Sequence, residues 1–254
     1  MNQVSYKDWL PYPPNLSVHG PEIDRLITVV HYVMFVLFIV WGFYFIYCLV
    51  RFRQREGHKA EYQPARGKLA KTAEIGVIVA EAILLIGLSI PVWASWRNDF
   101  PSRDHAVIVR VIAEQFAWNF HYPGKDGIFG RTDVSLVNNT GNSLGLDMKD
   151  PHARDDIVTL NDMHIPVHQP VIVEISSKDV IHSFAVNVLR VKQDATPGMM
   201  VPIHFEATQT GMFDVGCAQL CGLGHYKMKG QITIDNPEQF AQWLRENAPQ
   251  GVNQ

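Results

Sequence analysis

The stretch GCAQLCGLGHYKMKG, residues 216–230, brings two cysteines, a histidine and a methionine into twelve consecutive positions. These residues are Cys217, Cys221, His225 and Met228, and their spacing is C-x3-C-x3-H-x2-M. Thiolate and thioether sulfurs prefer soft metals, and imidazole suits copper or zinc. The stretch therefore predicts a metal site built mainly on one loop.

Several other kinds of site use some of these residues. A disulfide, the first suspicion for close cysteines in an oxidising compartment, explains Cys217 and Cys221 but leaves His225 and Met228 without a role. Zinc sites favour C-x2-C pairs or two histidines, and methionine is a poor zinc ligand. A mononuclear blue-copper site uses one cysteine, so a second cysteine indicates two coppers. A second histidine is then needed, and His182 in KDVIHSFAV is the candidate.

Two apolar runs precede this region. Leu26–Val50 contains no formal charge over 25 residues, and at about 1.5 Å per residue it is long enough to cross a hydrocarbon core of about 30 Å. A second run, Ile75–Trp96, is interrupted by one acid, Glu81. Both predict transmembrane helices, and the polar, Pro-rich residues before the first argue against a signal peptide.

The loop between the runs, residues 51–71, is rich in arginine and lysine, which predicts that it is cytoplasmic and that both termini are exported. The expected organisation is an exported segment (1–25), a transmembrane hairpin (26–96) and an exported domain (97–254). That domain carries 13 Lys and Arg against 18 Asp and Glu, a net charge of −5. An acidic exported domain argues against nucleic acid and suits a basic protein partner.

The exported domain is predicted to be all-β. Apolar residues alternate over residues 105–122, and short strand-like segments separated by Gly/Pro turns follow residue 169, which favours a Greek-key sandwich or barrel. Residues 123–163 lack sustained periodicity and predict a long surface insertion. A final helix is expected after Asn236 and Pro237, as N-cap and first helical residue.

The two-helix hairpin, DVIHSFAV, VKQDATPG and CAQLCGLGHYKM together resemble subunit II of the haem-copper oxidases, over essentially the whole chain. The resemblance implies a cupredoxin domain with a binuclear copper-A centre. Cys217 and Cys221 would bridge the two coppers, and His182 and His225 would each bind one. Met228 and the backbone carbonyl of Gln219 would be weak ligands to the two coppers.

The resemblance also implies a function in a bacterial inner membrane. The chain would accept electrons from cytochrome c or a small copper protein and pass them to haem in subunit I, beside other membrane subunits and lipid. The sequence has no C-x2-C-H motif for attaching a c-type haem, so haem is expected only in the partner. The alternatives are the corresponding subunit of a copper-A nitric oxide reductase and a stand-alone membrane-anchored copper protein.

Five further residues carry expectations from the resemblance. Gln219 stands where most of the family has a glutamate that binds magnesium, so the magnesium site is expected to be absent or weak. Phe116 stands where many relatives have tryptophan, while Trp118 matches; both are electron-transfer candidates, or simply a buried strand face. Glu74 resembles an acid at the mouth of a proton pathway, or is a helix-start acid. Glu81 is a second proton-pathway candidate, or a structural hydrogen-bonding group.

The remaining histidines of the exported domain (97–254) are interpreted as surface or turn residues. They are His105, His121, His152, His164, His168 and His204.

Overall fold

The computed structural model describes residues 13–59, 67–138 and 140–249 of the 254-residue chain. The chain divides into two compact units, a helical unit (Glu22–Asp99) and a β unit (Met1–Pro21 with Phe100–Gln254). The first twelve residues of the predicted segment 1–25 lie outside the described residues, as does the middle of the predicted cytoplasmic loop, residues 60–66.

Two long helical stretches form the helical unit. The first is α1 (Gly20–Arg51), and the second runs through α2 (Lys68–Ala82), a π-helical segment (Ile83–Ser89) and α3 (Ile90–Asn98). Both begin before the apolar runs at Leu26 and Ile75, because polar residues at the ends continue the same backbone hydrogen bonding. Each is long and apolar enough to cross a membrane, and no residue of either apolar window is buried within the described protein. Their apolar side chains therefore need to be covered by lipid or by another subunit.

The second helical stretch widens into the π-helical segment just before a proline. Pro91 has no N–H to donate, and its ring crowds the preceding turn. The hydroxyl of Ser89 also donates to the carbonyl of Leu84, five residues back, at 3.2 Å. Glu81 lies in the last turn of α2, directly before this segment.

The β unit contains two five-stranded sheets, with strand orders β3-β2-β1-β5-β8 and β4-β10-β9-β6-β7. Most neighbours are antiparallel, but β1 pairs with β5, and β4 with β10, in parallel. The strands are β1 (Val107–Glu114), β2 (Ala117–Tyr122), β3 (Ile157–Leu160), β4 (Asp162–Pro166), β5 (Pro170–Ser177), β6 (His182–Val186), β7 (Val191–Ala195), β8 (Val201–Glu206), β9 (Gly211–Cys217) and β10 (Lys229–Asp235).

The core lies between the two sheets and follows the period-2 pattern of the strands. Val109 and Val111 of β1 are fully buried, and Phe184 of β6 and Ile232 of β10 are fully buried on the opposite sheet. Burying one such side chain contributes about 1.5–3 kcal/mol. The predicted membrane-anchored β-sandwich is confirmed.

The predicted insertion 123–163 is too long at its C-terminal end. β3 and the start of β4 lie inside it, and β3 pairs with β2 through Asn119↔Leu160 and Tyr122↔Ile157. Both are edge strands of their sheets, and their residues lack the clean apolar alternation that marks an internal strand. β7 was also not predicted as a strand; its middle residues, Lys192 to Asp194, are polar and not buried.

The N-terminal segment forms part of the sandwich, which its polar sequence did not predict. The Leu16 N–H donates to the Val188 carbonyl at 2.8 Å, and the Leu16 carbonyl accepts from Thr208 N–H at 2.9 Å. Leu16 is buried. At the other end, α4 (Pro237–Asn247) begins at the predicted N-cap, where Asn236 and Gln239 form a reciprocal capping box.

Candidate metal centre

The soft-ligand residues lie where three strands end. β9 ends at Cys217 and β10 begins at Lys229, so the loop between them carries the other residues of the motif. β6 pairs with β9, with Phe184 opposite Cys217, and the Ala218 N–H donates to the Ser183 carbonyl at 2.9 Å. This pairing brings His182, the first residue of β6, next to the loop.

The two cysteines are close but not bonded. Their Sγ atoms are 3.8 Å apart, whereas a disulfide requires about 2.05 Å, and both thiols are free. Cys217 and Cys221 therefore do not form a disulfide in this structure. Two unbonded sulfurs at this separation can share a metal ion between them.

Nitrogen, thioether and carbonyl atoms surround the two sulfurs. His182 Nδ1 is 3.1 Å from Met228 Sδ and 4.0 Å from Cys217 Sγ. Cys221 Sγ is 3.6 Å from His225 Nδ1 and 3.7 Å from Met228 Sδ. The Cys217 thiol donates to the Gln219 carbonyl at 3.1 Å. We call these six groups the sulfur cluster: His182, Cys217, the Gln219 carbonyl, Cys221, His225 and Met228.

The chemistry of the sulfur cluster fits copper. Its donors are two thiols, two imidazoles, one thioether and one carbonyl, a soft set that suits copper and that magnesium or calcium would not select. The ligating atoms of His182, Cys217 and Cys221 all lie within 4.8 Å of one another. Burial and the neighbouring Cys217 raise the pKa of Cys221 to about 11. A bound cation would offset this cost of forming the thiolate.

Asp179 fixes the orientation of the His182 ring. Its Oδ1 lies 2.8 Å from His182 Nε2, so Nε2 carries the proton and Nδ1 presents a lone pair to the sulfurs. Partial burial acts to raise the pKa of Asp179, but hydrogen bonds from His182 and from the Gln115 and Val180 N–H groups outweigh it, and the pKa is lowered. The ionised carboxylate is therefore a stable partner for the ring.

Gln115 lies in the turn between β1 and β2 and hydrogen-bonds to both Asp179 and the ligand loop. Its backbone N–H donates to Asp179 Oδ2 at 2.7 Å, and its side-chain Nε2 donates to the Cys221 carbonyl at 2.6 Å. Sequence reasoning did not assign positioning roles to Gln115 and Asp179. The available signals were the position of Asp179 three residues before His182, and that of Gln115 directly before Phe116.

The two aromatic candidates occupy different environments. Phe116 is 37% exposed, and its ring lies against the backbone of the ligand loop, where a Cβ on Gly224 would approach the ring to 2.4 Å. Trp118 is fully buried, with its ring centroid 6.2 Å from that of His182 and 5.7 Å from that of Phe184. Of these two aromatic residues, Phe116 is the one that can touch a partner protein directly.

The other predicted residues lie elsewhere. Glu74 and Glu81 are exposed residues of α2 in the helical unit. The Gln219 side chain is exposed, while its carbonyl belongs to the sulfur cluster. The surface interpretation is wrong for His121, which is 1% exposed and contacts Asp156, because the insertion covers that face of β2.

Comparison with known proteins identifies the family. The model of "Cytochrome C oxidase subunit II, periplasmic domain" matches residues 107–235. The alternative cytochrome c oxidase subunit 2 of Bradyrhizobium diazoefficiens is 34% identical over 239 residues, covering 94% of this chain and 83% of that protein. Cytochrome c oxidase subunit 2 of Cereibacter sphaeroides is 27% identical over 245 residues, covering 92% and 77%.

Among solved structures, the periplasmic domain of subunit II of cytochrome oxidase of Bradyrhizobium japonicum is similar at 29% identity and a TM-score of 0.42, covering 58% of this chain and 95% of that one. The relatives do not favour the nitric oxide reductase alternative. This chain is a member of the cytochrome c oxidase subunit II family.

Proposed function

We propose that this chain is the electron-accepting subunit of a respiratory haem-copper oxidase and that the sulfur cluster holds a binuclear copper-A centre. The observation that carries the proposal is the pair of free cysteine sulfurs, 3.8 Å apart, with His182 Nδ1 within 4.0 Å of Cys217 Sγ and His225 Nδ1 within 3.6 Å of Cys221 Sγ. When bound, copper held by these residues would supply a one-electron redox centre.

The distances suggest how the residues divide between the two coppers. His182 and Met228 lie together, with 3.1 Å between Nδ1 and Sδ, so they are assigned to one copper. His225 is then assigned to the other copper, and the family resemblance assigns the Gln219 carbonyl to that copper as a weak ligand. Cys217 and Cys221 serve both. Asp179 holds the His182 proton on Nε2 and keeps Nδ1 available as a ligand.

Electrons are proposed to arrive beside Phe116. Its partly exposed ring lies against Gly222 and Gly224 of the ligand loop, so a donor that touches the ring is close to His225. Trp118 is buried beside His182 and is assigned a role within the protein only. The donor is a basic cytochrome c or small copper protein, attracted by the net acidic exported domain.

The helical unit is proposed to anchor the chain beside subunit I, which carries the haem. The two apolar helices suit a membrane-anchored protein with a periplasmic domain, and the basic loop 51–71 is assigned to the cytoplasm, with both termini opposite. Glu74 and Glu81 are proposed to serve a proton pathway into the partner. Glu81→Gln should slow turnover without changing the copper spectrum; unchanged turnover leaves Glu81 a structural role.

The magnesium site of the family is proposed to be weak or absent in this chain. Gln219 supplies a backbone carbonyl to the sulfur cluster but has a neutral amide in place of a carboxylate, which binds magnesium poorly. In the assembled complex, Gln219→Glu should create manganese binding that the unmodified protein lacks, measured by electron paramagnetic resonance.

The rate of electron acceptance tests the proposed function. The purified complex is mixed rapidly with reduced cytochrome c, and oxidation of the cytochrome is followed at low and high salt. We expect a fast phase that slows as salt rises and that Phe116→Ala slows further, whereas Val134→Ala, at an exposed site on the insertion, has no effect. A complex that oxidises no external donor, or a fast phase indifferent to Phe116→Ala, contradicts the proposed route.

A further inference from the structure

The ligand loop (residues 218–228, between β9 and β10) and its neighbours close the sulfur cluster off from solvent. His182, Cys221 and Met228 are 0%, 5% and 2% exposed. A metal ion travels with bound water or with another ligand, so it is larger than the water molecule that these side chains already exclude. Entry or release of a metal therefore requires part of the covering structure to move.

Few hydrogen bonds hold the ligand loop in place. Strands β9 and β10 fix its two ends, and near the first end the Ala218 N–H donates to the Ser183 carbonyl at 2.9 Å. Apart from contacts within the sulfur cluster, the described part of the chain supplies one more hydrogen bond to the loop from outside it. This bond runs from Gln115 Nε2 to the Cys221 carbonyl, at 2.6 Å. Gln115 therefore holds the middle of the loop.

Phe116 covers the same part of the loop. A Cβ added to Gly224 would lie 2.4 Å from the Phe116 ring, and one added to Gly222 would lie 3.2 Å from the ring and 2.7 Å from Gln115 Nε2. The ring therefore rests directly on the loop backbone, at a distance that leaves no room for a side chain. Leu223, between the two glycines, is 97% exposed and does not cover the cluster.

The backbone of Gly224 indicates that the Phe116 contact, rather than the turn, requires glycine. Gly224 has φ −89° and ψ 5°, the values of the third position of a type I turn, which most residues tolerate. Gly222 differs, because its φ of +133° is disfavoured for residues with a side chain. The three atoms nearest to a methyl group at position 224 would all belong to the Phe116 ring.

We propose that Gln115 and Phe116 form a latch that limits how fast copper enters and leaves the sulfur cluster. In the closed latch, the Gln115 amide holds the Cys221 carbonyl and the Phe116 ring lies on the loop backbone. The loop opens when both contacts break, which exposes Cys221. Because the Gln115 N–H is anchored on Asp179 at 2.7 Å, the latch stays with the β-sandwich while the loop moves. The latch rests on the proposed copper-A function and adds the residues that control access to that centre.

Release of copper to a chelator tests the latch. The full chain in lipid nanodiscs is loaded with copper and mixed with rising concentrations of bathocuproine disulfonate and a reductant, and the coloured copper–chelator complex is followed. At high chelator concentration the release rate stops rising, and this limiting rate is the rate of loop opening. Uptake is followed by adding copper to the metal-free chain and recording the visible spectrum.

Two variants weaken the latch. Gln115→Met keeps the side-chain size but removes the donor, and should raise the limiting release rate about fivefold, as expected for one lost hydrogen bond. Phe116→Ala removes the ring and should raise the rate about tenfold, whereas Phe116→Trp keeps a ring over the loop and should release copper slowly. Uptake should accelerate together with release, and the two-copper spectrum should stay unchanged. Gln209→Met and Val134→Ala, at exposed sites on the β8–β9 turn and the insertion, should change nothing.

A double-mutant cycle locates the ring contact. Gly224→Ala should displace the Phe116 ring from the loop and raise the limiting release rate about tenfold. In a chain that already carries Phe116→Ala the obstacle is gone, so Gly224→Ala should add nothing. Equal effects of Gly224→Ala in the two chains would overturn the proposal.

The copper spectrum separates failure of the latch from failure of the proposed function. A chain that binds no copper pair contradicts both. A bound copper pair whose limiting release rate is unchanged by Gln115→Met or by Phe116→Ala overturns the latch alone. Faster release with unchanged uptake also overturns it, because that combination indicates weaker binding rather than faster opening.

Discussion

The sulfur cluster and the outer face of the first sheet each contain a buried histidine held by an aspartate, yet the two pairs have different surroundings. At the sulfur cluster, Asp179 accepts hydrogen bonds on both oxygens and turns His182 Nδ1 toward sulfur. On the outer face of the first sheet, Asp156 Oδ2 contacts His121 Nε2 at 2.7 Å and accepts from the Gly130 N–H at 2.8 Å. The first carboxylate positions a soft ligand, and the second joins the insertion to β2. The groups around each pair, sulfur atoms in one region and backbone N–H of the insertion in the other, distinguish the two regions.

Removing a sulfur should have the largest effect. Cys217→Ser and Cys221→Ser each leave one thiolate for two coppers, so we expect the binuclear site and electron acceptance to be lost. Copper per chain and the rate of cytochrome c oxidation measure this. Cys48→Ser, in α1, is the matched control and should behave as the unmodified protein. A Cys221→Ser protein that still binds two coppers would contradict the assignment.

Breaking the His121–Asp156 pair should destabilise the fold without removing copper from the sulfur cluster. His121→Ala leaves the Asp156 carboxylate buried with one fewer donor, which we expect to destabilise the protein by about 3 kcal/mol. Copper content of the folded fraction should stay unchanged. Chemical denaturation and metal analysis of the same samples give both numbers. Loss of copper without loss of stability would show that the two sites are not independent.

Loosening the His182 ring should have an intermediate effect. Asp179→Asn replaces the ionised acceptor with an amide, and we expect copper affinity to fall about 10- to 100-fold, as for other residues that orient a metal-binding histidine. Competition with a copper chelator measures the affinity. Asp194→Asn, on β7 opposite Ser183, is the control because that carboxylate is half-exposed and touches no ligand. Equal copper affinities for the two variants would contradict the orienting role of Asp179.

The smallest effect concerns His19, a half-buried histidine that hydrogen-bonds to the Arg190 backbone. Burial lowers the pKa of His19 to about 4, against about 6.5 in an unfolded chain. Between these values the unfolded state binds the extra proton, so stability is complete above pH 6.5 and is lost as the pH falls toward 4. His19→Gln should flatten the dependence of the melting temperature on pH over this window. An unchanged slope would show that other groups cause the pH dependence of the melting temperature.

The parts of the molecule that were predicted are those specified by local pattern. The helices follow from apolar length, and the ligand loop from four ligand residues in one stretch. Asp179 and Gln115 were missed as positioning residues because their roles depend on contacts between β1, β6 and the loop. The edge strands β3 and β4 and the buried state of His121 were missed for a related reason: the covering insertion shows no periodicity of its own.

The central claim is that the sulfur cluster holds two coppers that share electrons. Copper analysis combined with electron paramagnetic resonance on the purified full chain tests it most directly. We predict two coppers per chain and a purple, mixed-valence signal in which one unpaired electron is spread over both metals. A single copper with a mononuclear spectrum, or a colourless zinc protein, would contradict this account.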